Sequence, residues 1–568
     1  MNARALSVIS CFLLATLVAC PGGNSIQKYT VGGTLFGLAA SSSLVLHNNG
    51  GDTLTLLNNG DYTFATALAE GTAYNVTVST QPSKQFCTIT NASGIISNAN
   101  VNTVTVTCIN QPPKTKNWGS AAPISLRTKE ESLPKVAFDA NGNAMAVWES
   151  IRFAGSSRDI VYSRYTKNGW STPEVIPLLF PKPVESFYEN SRNPDLAVAA
   201  DGHAIAVWRQ GGDTEFEFNI WASQYTPGSG WSQRERISDS VLIASEPKVA
   251  FDSNGNALAV WNGTGIQYNR YTVGVGWGPT ATPRFVSAFA ANAQKPELAV
   301  NSNGDAMAVW AQNDQPIETS VRLDLWSSRY SIATDTWGQP QLIETDNSGS
   351  LFYAKQVVMD AIGTATVVWS QYDGTRLHVL ANRHAAGAWG AATTLEADNN
   401  AFGTTAFDPR ITIDGNGNIL AMWRQYLYAD DPLDEFDEVF LLGFYMSARF
   451  TPQTGWGIPV RIGRYANRAS SSAYQIVSNT AGNAVAVWTL FVPRDPEIVF
   501  GPQDVFSNRY TVGSSGWGTA ETIGLNADES EYANPAITSA IDSSGNAVAV
   551  WSGVSATQNN DIMFNRLE

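Results

Sequence analysis

The tryptophans of this 568-residue chain fall into two interleaved series, and their spacing constrains the fold more than any other feature. The first series closes a segment typified by PKVAFDANGNAMAVW, which recurs eight times, at Trp148, Trp208, Trp261, Trp310, Trp369, Trp423, Trp488 and Trp551. The second series lies in segments such as NGWSTPEVI, at Trp118, Trp170, Trp231, Trp277, Trp337, Trp389, Trp456 and Trp517. Sixteen of the 18 tryptophans therefore occupy repeat positions, which is typical of architecture rather than of an active site.

Each repeat has the pattern of four short strands. The first strand precedes an Asp-x-Asn-Gly turn, as at 139–142, which fits a tight hairpin with glycine at positive φ. The second strand is apolar on both faces, so each sheet is expected to pack between two neighbours. The fourth strand contains a proline, Pro173 in the first full repeat, which places it at the outer edge. Four-stranded units at this period predict a β-propeller.

The two ends of the repeat region complement each other. The chain stops at DIMFNRLE, a third strand, while a fourth strand, NWGSAAPISL, stands alone around Trp118. The sequence therefore predicts an eight-bladed propeller over 118–568, closed by N- and C-terminal strands in one blade. The segment DSSGNAVAVW is similar to repeats of NHL-type bacterial propellers. Sialidase Asp boxes and quinoprotein repeats differ in spacing and turn residues, so no catalytic or cofactor residues are carried over from them.

The N-terminus has the pattern of a targeting segment. Arg4 precedes a short apolar run over 6–18, which is followed by Ala19 and Cys20. This end resembles a bacterial lipobox, which implies a signal peptide over 1–19, a lipidated Cys20 and a linker over 20–27. Pro21, rather than an aspartate, follows the cysteine, and in this the segment resembles lipoproteins that go on to the outer membrane. We therefore expect export and a lipid anchor as the sole membrane attachment, facing the surface or the periplasm.

The segment 28–110 reads as short alternating strands separated by turn residues, which predicts a small β-sandwich. It resembles the Ig-like or transthyretin-like modules that follow lipoboxes, and the resemblance implies a stalk. Cys87 and Cys108 are expected to form a disulfide, because an exported protein meets an oxidising compartment. A linker over 111–117 leads to the propeller, and the whole chain is predicted to be all-β.

Composition and motifs restrict the chemistry. A formal net charge of -15 disfavours nucleic acid as a partner. The four histidines have no zinc-type spacing, and neither a nucleophile elbow nor a phosphate loop is present, so the sequence predicts no catalytic residue and no cofactor. Ca²⁺ is an alternative to a solvated acidic loop at Asp430, Asp431, Asp434, Glu435, Asp437 and Glu438.

Variable loops at one end of the predicted propeller indicate where a ligand binds. Positions just after the second-strand tryptophans would surround the channel there. The predicted ligand-binding residues are Arg209, Gln210, Gln312, Gln371, Arg424 and Gln425, beside Glu149, Tyr372, Tyr426 and Tyr428. Planar hydrogen-bonding groups beside aromatic rings suit sugars or polar peptides. The alternative is that these groups satisfy loop backbone atoms or one another.

The sequence thus predicts a monomeric, membrane-anchored envelope lipoprotein whose propeller binds a glycan or an envelope protein without catalysis. Two alternatives stay open. A carbohydrate-active hydrolase or lyase would need two carboxylates close together in the central pocket of the variable end. An envelope-assembly scaffold would form a stable complex with a membrane protein and would bind no small ligand.

Overall fold

The structure of the chain is a computed structural model. It describes residues 27–82, 85–110, 116–125, 130–151, 158–177, 190–211, 217–239, 244–280, 284–287, 293–312, 323–344, 355–396, 404–430, 438–465, 473–491, 503–513, 516–525, 536–554 and 560–568. These residues form strands, turns and loops, with no helix among them and hence none able to cross a membrane. The chain divides into two compact units, 1–115 and 116–568.

The small unit contains two four-stranded sheets and one two-stranded pair. One sheet has the order Gly60–Thr63, Val31–Phe36, Val101–Asn110 and Gln85–Thr90. The other has the order Asp52–Leu56, Leu44–Asn48, Ala73–Thr80 and Ser93–Ile95, and Lys28–Tyr29 pairs with Leu68–Ala69. The predicted disulfide is confirmed, because Cys87 and Cys108 lie directly opposite each other on antiparallel strands with their sulfurs 2.01 Å apart.

Among the described residues of the large unit there are eight sheets, here numbered 1 to 8. Each has an inner, a second, a third and an outer strand, and in six of them the outer strand consists of two short segments. Sheet 1 has Glu131–Phe138, Ala144–Ile151, Arg158–Thr166, Gly169–Trp170 and Glu174–Val175. Sheet 2 has Ser191–Val198, Ala204–Gly211, Phe218–Thr226, Gly230–Trp231 and Glu235–Arg236. Sheet 3 has Ser245–Phe251, Ala257–Asn262, Ile266–Thr272 and Gly276–Trp277. Sheet 4 has Gln294–Val300, Ala306–Gln312, Asp324–Ser331, Thr336–Trp337 and Gln341–Leu342.

The remaining four sheets repeat this order. Sheet 5 has Lys355–Met359, Ala365–Tyr372, Leu377–Ala385, Ala388–Trp389 and Thr393–Thr394. Sheet 6 has Thr404–Ile413, Ile419–Asp430, Glu438–Thr451, Gly455–Trp456 and Val460–Tyr465. Sheet 7 has Tyr474–Ser478, Ala484–Phe491, Gln503–Thr511, Gly516–Trp517 and Glu521–Gly524. Sheet 8 has Ile537–Ile541, Ala547–Val554 and Asn560–Leu567, and its outer strand is Ala122–Pro123.

The inner strands connect the sheets. Each inner strand contacts the inner strand of the next sheet, and that of sheet 8 contacts that of sheet 1. The outer strand of sheet 8 comes from the start of the unit, with Ala122 opposite Phe564 and Pro123 opposite Met563. This arrangement is that of a β-propeller-like, all-β fold.

Second strands are buried on both faces, as their sequence predicts. Ala146 and Trp148 of sheet 1 pack against sheet 8, whereas Met145 and Val147 pack against sheet 2. Since hydrophobic burial is the main favourable contribution to folding, this repeated interlocking joins the eight sheets into one unit.

Candidate functional site

The predicted glutamines lie two residues after a second-strand tryptophan, and each accepts a hydrogen bond from that indole. The Nε1–Oε1 distances are 3.1 Å for Trp208–Gln210, 2.9 Å for Trp310–Gln312, 3.0 Å for Trp369–Gln371 and 3.3 Å for Trp423–Gln425. The glutamines thus satisfy buried donors inside the sheets, as the structural alternative requires. Their role in ligand binding stays a prediction, and the cavity described below does not depend on it.

We expect Gln210→Met to lower the free energy of unfolding by about 2 kcal/mol, because it removes an acceptor shared by Trp208 and Arg234. Chemical denaturation monitored by tryptophan fluorescence measures the change. The matched control is Gln233→Met, whose side chain is exposed, with an expected change within about 0.5 kcal/mol. Equal stability of the two variants would contradict the capping role.

The two predicted arginines belong to different sheets and have different surroundings. The Arg209 guanidinium lies 4.0 Å from the centre of the Phe218 ring, and burial lowers its pKa. Arg424 Nη2 lies 2.7 Å from Asp408 Oδ2. Glu149 accepts a hydrogen bond of 2.6 Å from the backbone N–H of Asn193. Asp408 and Asn193 line the cavity described next, so Arg424 and Glu149 position its wall.

The inner strands begin with a repeated bulge. In five sheets a residue at positive φ precedes proline, as at Leu133, Asn193, Glu246, Lys295 and Asp408, with φ between 52° and 62°. The strand pairing shifts register at each of these places. A bulge of this kind redirects side chains and ends pairing, and it shapes the mouth of the space enclosed by the inner strands.

Just inside this mouth, one residue of each inner strand forms what we call the channel ring, four positions before the turn. Its members are Lys135, Asp195, Lys248, Glu297, Gln356, Arg410, Gln475 and Thr538. All eight line two adjoining cavities of about 410 and 250 Å³. In three places a ring side chain accepts a backbone N–H of the next sheet, for example Gln356 Oε1 from Ile411 N at 2.8 Å.

The cavities carry five cationic side chains, Lys135, Lys248, Lys295, Lys355 and Arg410, and four carboxylates, Asp195, Glu246, Glu297 and Asp408. Each carboxylate already has a close partner. Glu297 pairs with Lys248 at 2.9 Å, and Glu246 accepts the backbone N–H of Lys295 at 3.0 Å. Asp195 accepts the backbone N–H of Val249, and Asp408 is held by Arg424. The positive charge is therefore less fully paired than the negative.

Two of the five cationic side chains, unlike the carboxylates, have no close partner among the described residues. Within the described residues, the amines of Lys295 and Lys355 have neither a hydrogen bond nor an ion pair. Burial lowers the pKa of Lys355 to about 8, although the carboxylate of Glu297 acts in the opposite direction. For Lys248, attraction to Glu297 and Asp195 outweighs burial and raises the pKa. The sequence analysis singled out none of these lysines, although the position of Lys248, four residues before the turn, recurs in every repeat.

A second group of titratable residues lies between sheets 4 and 5, around a cavity of about 230 Å³. His378 Nε2 lies 2.9 Å from Asp373 Oδ2, and its Nδ1 lies 2.5 Å from Glu396 Oε1. Burial, together with nearby Asp324, raises the pKa of Glu344 to about 8. Hydrogen bonds from Thr375, Arg376 and His378 lower the pKa of Asp373 despite its desolvation. One cavity thus holds a carboxyl group whose pKa is raised, Glu344, and one whose pKa is lowered, Asp373.

Several predictions concern residues beyond the described ranges. They are the signal peptide over 1–19, the lipidated Cys20, most of the two linkers (20–26 and 111–115) and the core of the acidic segment, 431–437. Within the described parts of the chain, no group of three or more histidines, cysteines and carboxylates could hold a metal ion.

Comparison with known proteins assigns no family. No protein-family profile and no curated protein matches the chain. The solved structures that match the chain include a protein of unknown function from Dyadobacter fermentans, with 12% identity, a TM-score of 0.37, and coverage of 70% of this chain and 98% of the other. They also include the polysaccharide lyase Uly1, with 8% identity, a TM-score of 0.40 and coverage of 76% and 89%. A third is an α-L-arabinanase from Penicillium chrysogenum, with 12% identity, a TM-score of 0.34 and coverage of 66% and 93%.

Proposed function

We propose that the chain is an envelope lipoprotein whose closed, eight-bladed propeller binds an acidic glycan at the channel mouth and performs no catalysis on it. The observation that carries the proposal is that the buried Lys355 and the exposed Lys295 form no ion pair with the described residues, in a cavity whose carboxylates are already paired. A carboxylate or sulfate group entering the mouth would supply the missing partner for both amines.

The cavity also suits the neutral part of a sugar. Its larger part has a volume of about 410 Å³, which lies in the range of small-ligand sites, and the adjoining part has a volume of about 250 Å³. Gln356, Gln475 and Asn193 add amide groups to the lining, and amides can donate to and accept from hydroxyl groups. The net charge of -15 would repel a polyanion from most of the surface, so the cationic mouth would select where it binds.

Calorimetric titration of the full chain with oligogalacturonate, heparin-derived and maltose-series oligosaccharides tests the proposal. We expect saturable binding of an acidic oligosaccharide, weakened as salt is raised from 50 to 500 mM, and binding of the neutral series at least tenfold weaker. Lys295→Gln should reduce the acidic affinity several-fold. Equal affinity for neutral and acidic sugars would contradict the proposal. No binding of any of these sugars, together with co-purification of one envelope protein, would favour the scaffold alternative.

The anchor is a separate part of the proposal. It rests on the lipobox-like segment ending at Cys20, and it implies an outer-membrane location, a monomer and no membrane contact beyond the lipid. Mass spectrometry of the chain made in a Gram-negative host should find a diacylglycerol-modified Cys20 as the first residue. Cys20→Ser should abolish both the modification and the recovery of the chain with membranes.

A specific observation favours one second candidate, a glycan hydrolase between sheets 4 and 5. The pKa of Glu344 is raised to about 8 and that of Asp373 is lowered, and both residues line the same cavity. A general acid and a base or nucleophile need such opposite environments. Release of reducing sugar from a polysaccharide panel, abolished by Glu344→Gln, would establish this activity and contradict the non-catalytic proposal.

A further inference from the structure

A repeated arginine of the third strands is missing from one sheet. Seven third strands carry an arginine near their C-terminal end. These residues are Arg164, Arg270, Arg329, Arg383, Arg449, Arg509 and Arg566. In sheet 2 the equivalent residue is Gln224, within the segment NIWASQYT. Because the surrounding sequence keeps the repeat pattern, the change affects one side chain and not the strand.

In the other sheets this arginine fills a slot at the end of the molecule that carries the Asp-x-Asn-Gly turns. Arg164 Nη2 lies 3.6 Å from the turn residue Asp139 of its own sheet, and its guanidinium lies 5.7 Å from the ring centre of Tyr225 in the next sheet. The same arrangement over the aromatic ring of the next sheet is found at 4.1 Å for Arg383 on Phe450, at 5.8 Å for Arg449 on Tyr510 and at 4.2 Å for Arg566 on Tyr165. Four of these slots therefore offer a guanidinium a flat ring from the following sheet, whereas the residue at the equivalent position beside Arg509 is Leu567.

Sheet 2 departs from the repeat at two further positions of the same slot. The turn residue is Ala199 instead of Asp or Asn, and the residue four positions later is His203, where four of the other sheets hold Asn bonded to the turn aspartate. The Gln224 amide Nε2 lies 3.3 Å from Glu235 of its own outer strand. The three departures surround a cavity of about 400 Å³, whose wall from the next sheet includes Tyr271. Tyr271 is the counterpart of the rings that hold arginines elsewhere.

The charge of this cavity favours a cation. Asp201 and Asp252 line it, and no lysine or arginine is found among the described lining residues. The backbone N–H of His203 donates to Asp201 Oδ1 at 3.1 Å, and this bond lowers the pKa of Asp201, which therefore stays ionised. Asp201 is exposed at the rim, where its Oδ2 lies 3.0 Å from Nδ1 of the likewise exposed His203 and where it can meet an arriving side chain.

We propose that this empty slot between sheets 2 and 3 binds an arginine side chain of a partner polypeptide. The incoming guanidinium would lie over Tyr271, in the place that an arginine of the chain occupies over the equivalent ring at four other positions, with Asp201 at the rim. A planar guanidinium stacks on an aromatic ring and still donates hydrogen bonds at its edge, which a lysine ammonium does less well. The site lies at the opposite end of the inner strands from the channel mouth, so it is independent of the proposed glycan binding.

Ligand-observed NMR titration of the full chain with N-acetyl-L-arginine amide tests the proposal. The neutral isostere N-acetyl-L-citrulline amide is the matched probe, and we expect it to bind about tenfold more weakly, because the cation–π and ionic contributions are lost. Gln224→Arg should fill the slot with the chain's own guanidinium and abolish binding of the arginine probe, without lowering the unfolding temperature.

Gln233→Arg is the matched control, because it adds the same charge to the same sheet at an exposed position outside the cavity. This variant should bind the arginine probe as the parent does. Equal binding of citrulline and arginine, equal binding by the Gln224→Arg variant, or no saturable binding at tens of millimolar probe would each overturn the proposal.

Discussion

Deleting residues 1–125 is expected to destabilise the large unit by about 5 kcal/mol or more, while deleting residues 1–115 leaves it folded. The two deletions differ by the ten residues that supply the outer strand of sheet 8. In that strand Ile124 donates to the carbonyl of Ile562 at 2.7 Å, and Gly119 donates to the carbonyl of Arg566 at 2.9 Å. Without them the third strand of sheet 8 becomes an open edge.

Lost side-chain contacts further reduce the stability of the large unit. Ile124 is buried in the cluster that also contains Val161 and Ile562, so its removal exposes apolar surface of sheets 1 and 8. Asn565 Nδ2 donates to the carbonyl of Gly119 at 3.0 Å and to that of Ile523 at 2.7 Å, and the deletion removes the first of these acceptors. Thermal unfolding followed by tryptophan fluorescence compares the two chains. Indistinguishable unfolding temperatures would contradict closure by the terminal strands.

The features that the sequence predicted are those with local causes. The turn at Asp139 is an example, because its carboxylate accepts the backbone N–H groups of Asn141 and Asn143 at 2.9 Å, and Gly142 has a φ of 77°. All of these contacts lie within five residues, so the motif alone specifies the hairpin. The pairing of Cys87 with Cys108 could also be predicted from the sequence, since only two cysteines remain outside the N-terminal segment.

The candidate site was harder to predict from the sequence because its residues come from different sheets. Lys135, Gln356 and Arg410 come together only when the inner strands surround a common space. In a single strand, each of them looks like an ordinary polar position in an alternating pattern. The glutamines after the tryptophans recur just as regularly, and the structure gives Gln210 and Gln371 a local role, because they accept indole N–H groups of their own strands, while their role in ligand binding stays a prediction.

One feature of the sequence at Lys355 could have indicated a functional role. It takes the inner-strand position at which five other sheets have proline, so the repeat loses a rigid residue and gains a buried amine. Burying an unpaired ammonium costs stability, and such a cost is tolerated where function requires the charge.

Replacing Lys355 with methionine is accordingly expected to weaken binding of the acidic oligosaccharide at least tenfold at pH 7 and, at the same pH, to stabilise the ligand-free chain by up to about 3 kcal/mol. The folded pKa of Lys355 is about 8, against an ordinary value of 10.5, so the amine is charged in both states below pH 8 and the folded state bears the cost of burial. Between pH 8 and 10.5 the folded chain releases the proton first, and the stability difference between parent and variant should close. Over the same interval the parent's affinity for the anion should fall, while that of Lys355→Met should not.

Lys248→Met provides the matched control at the same mouth, because the pKa of Lys248 is raised by its pairing with Glu297 at 2.9 Å. A raised lysine pKa contributes stability that is present below the unfolded pKa and is lost as the pH rises through the folded pKa, so this variant should be less stable than the parent at pH 7. Denaturant titrations from pH 6.5 to 10.5, paired with calorimetric affinities at the same pH values, measure both effects. If Lys355→Met destabilised the chain or left anion affinity intact, Lys355 would be an ordinary structural lysine, and the channel mouth would lose the residue on which its proposed selectivity for anions depends most.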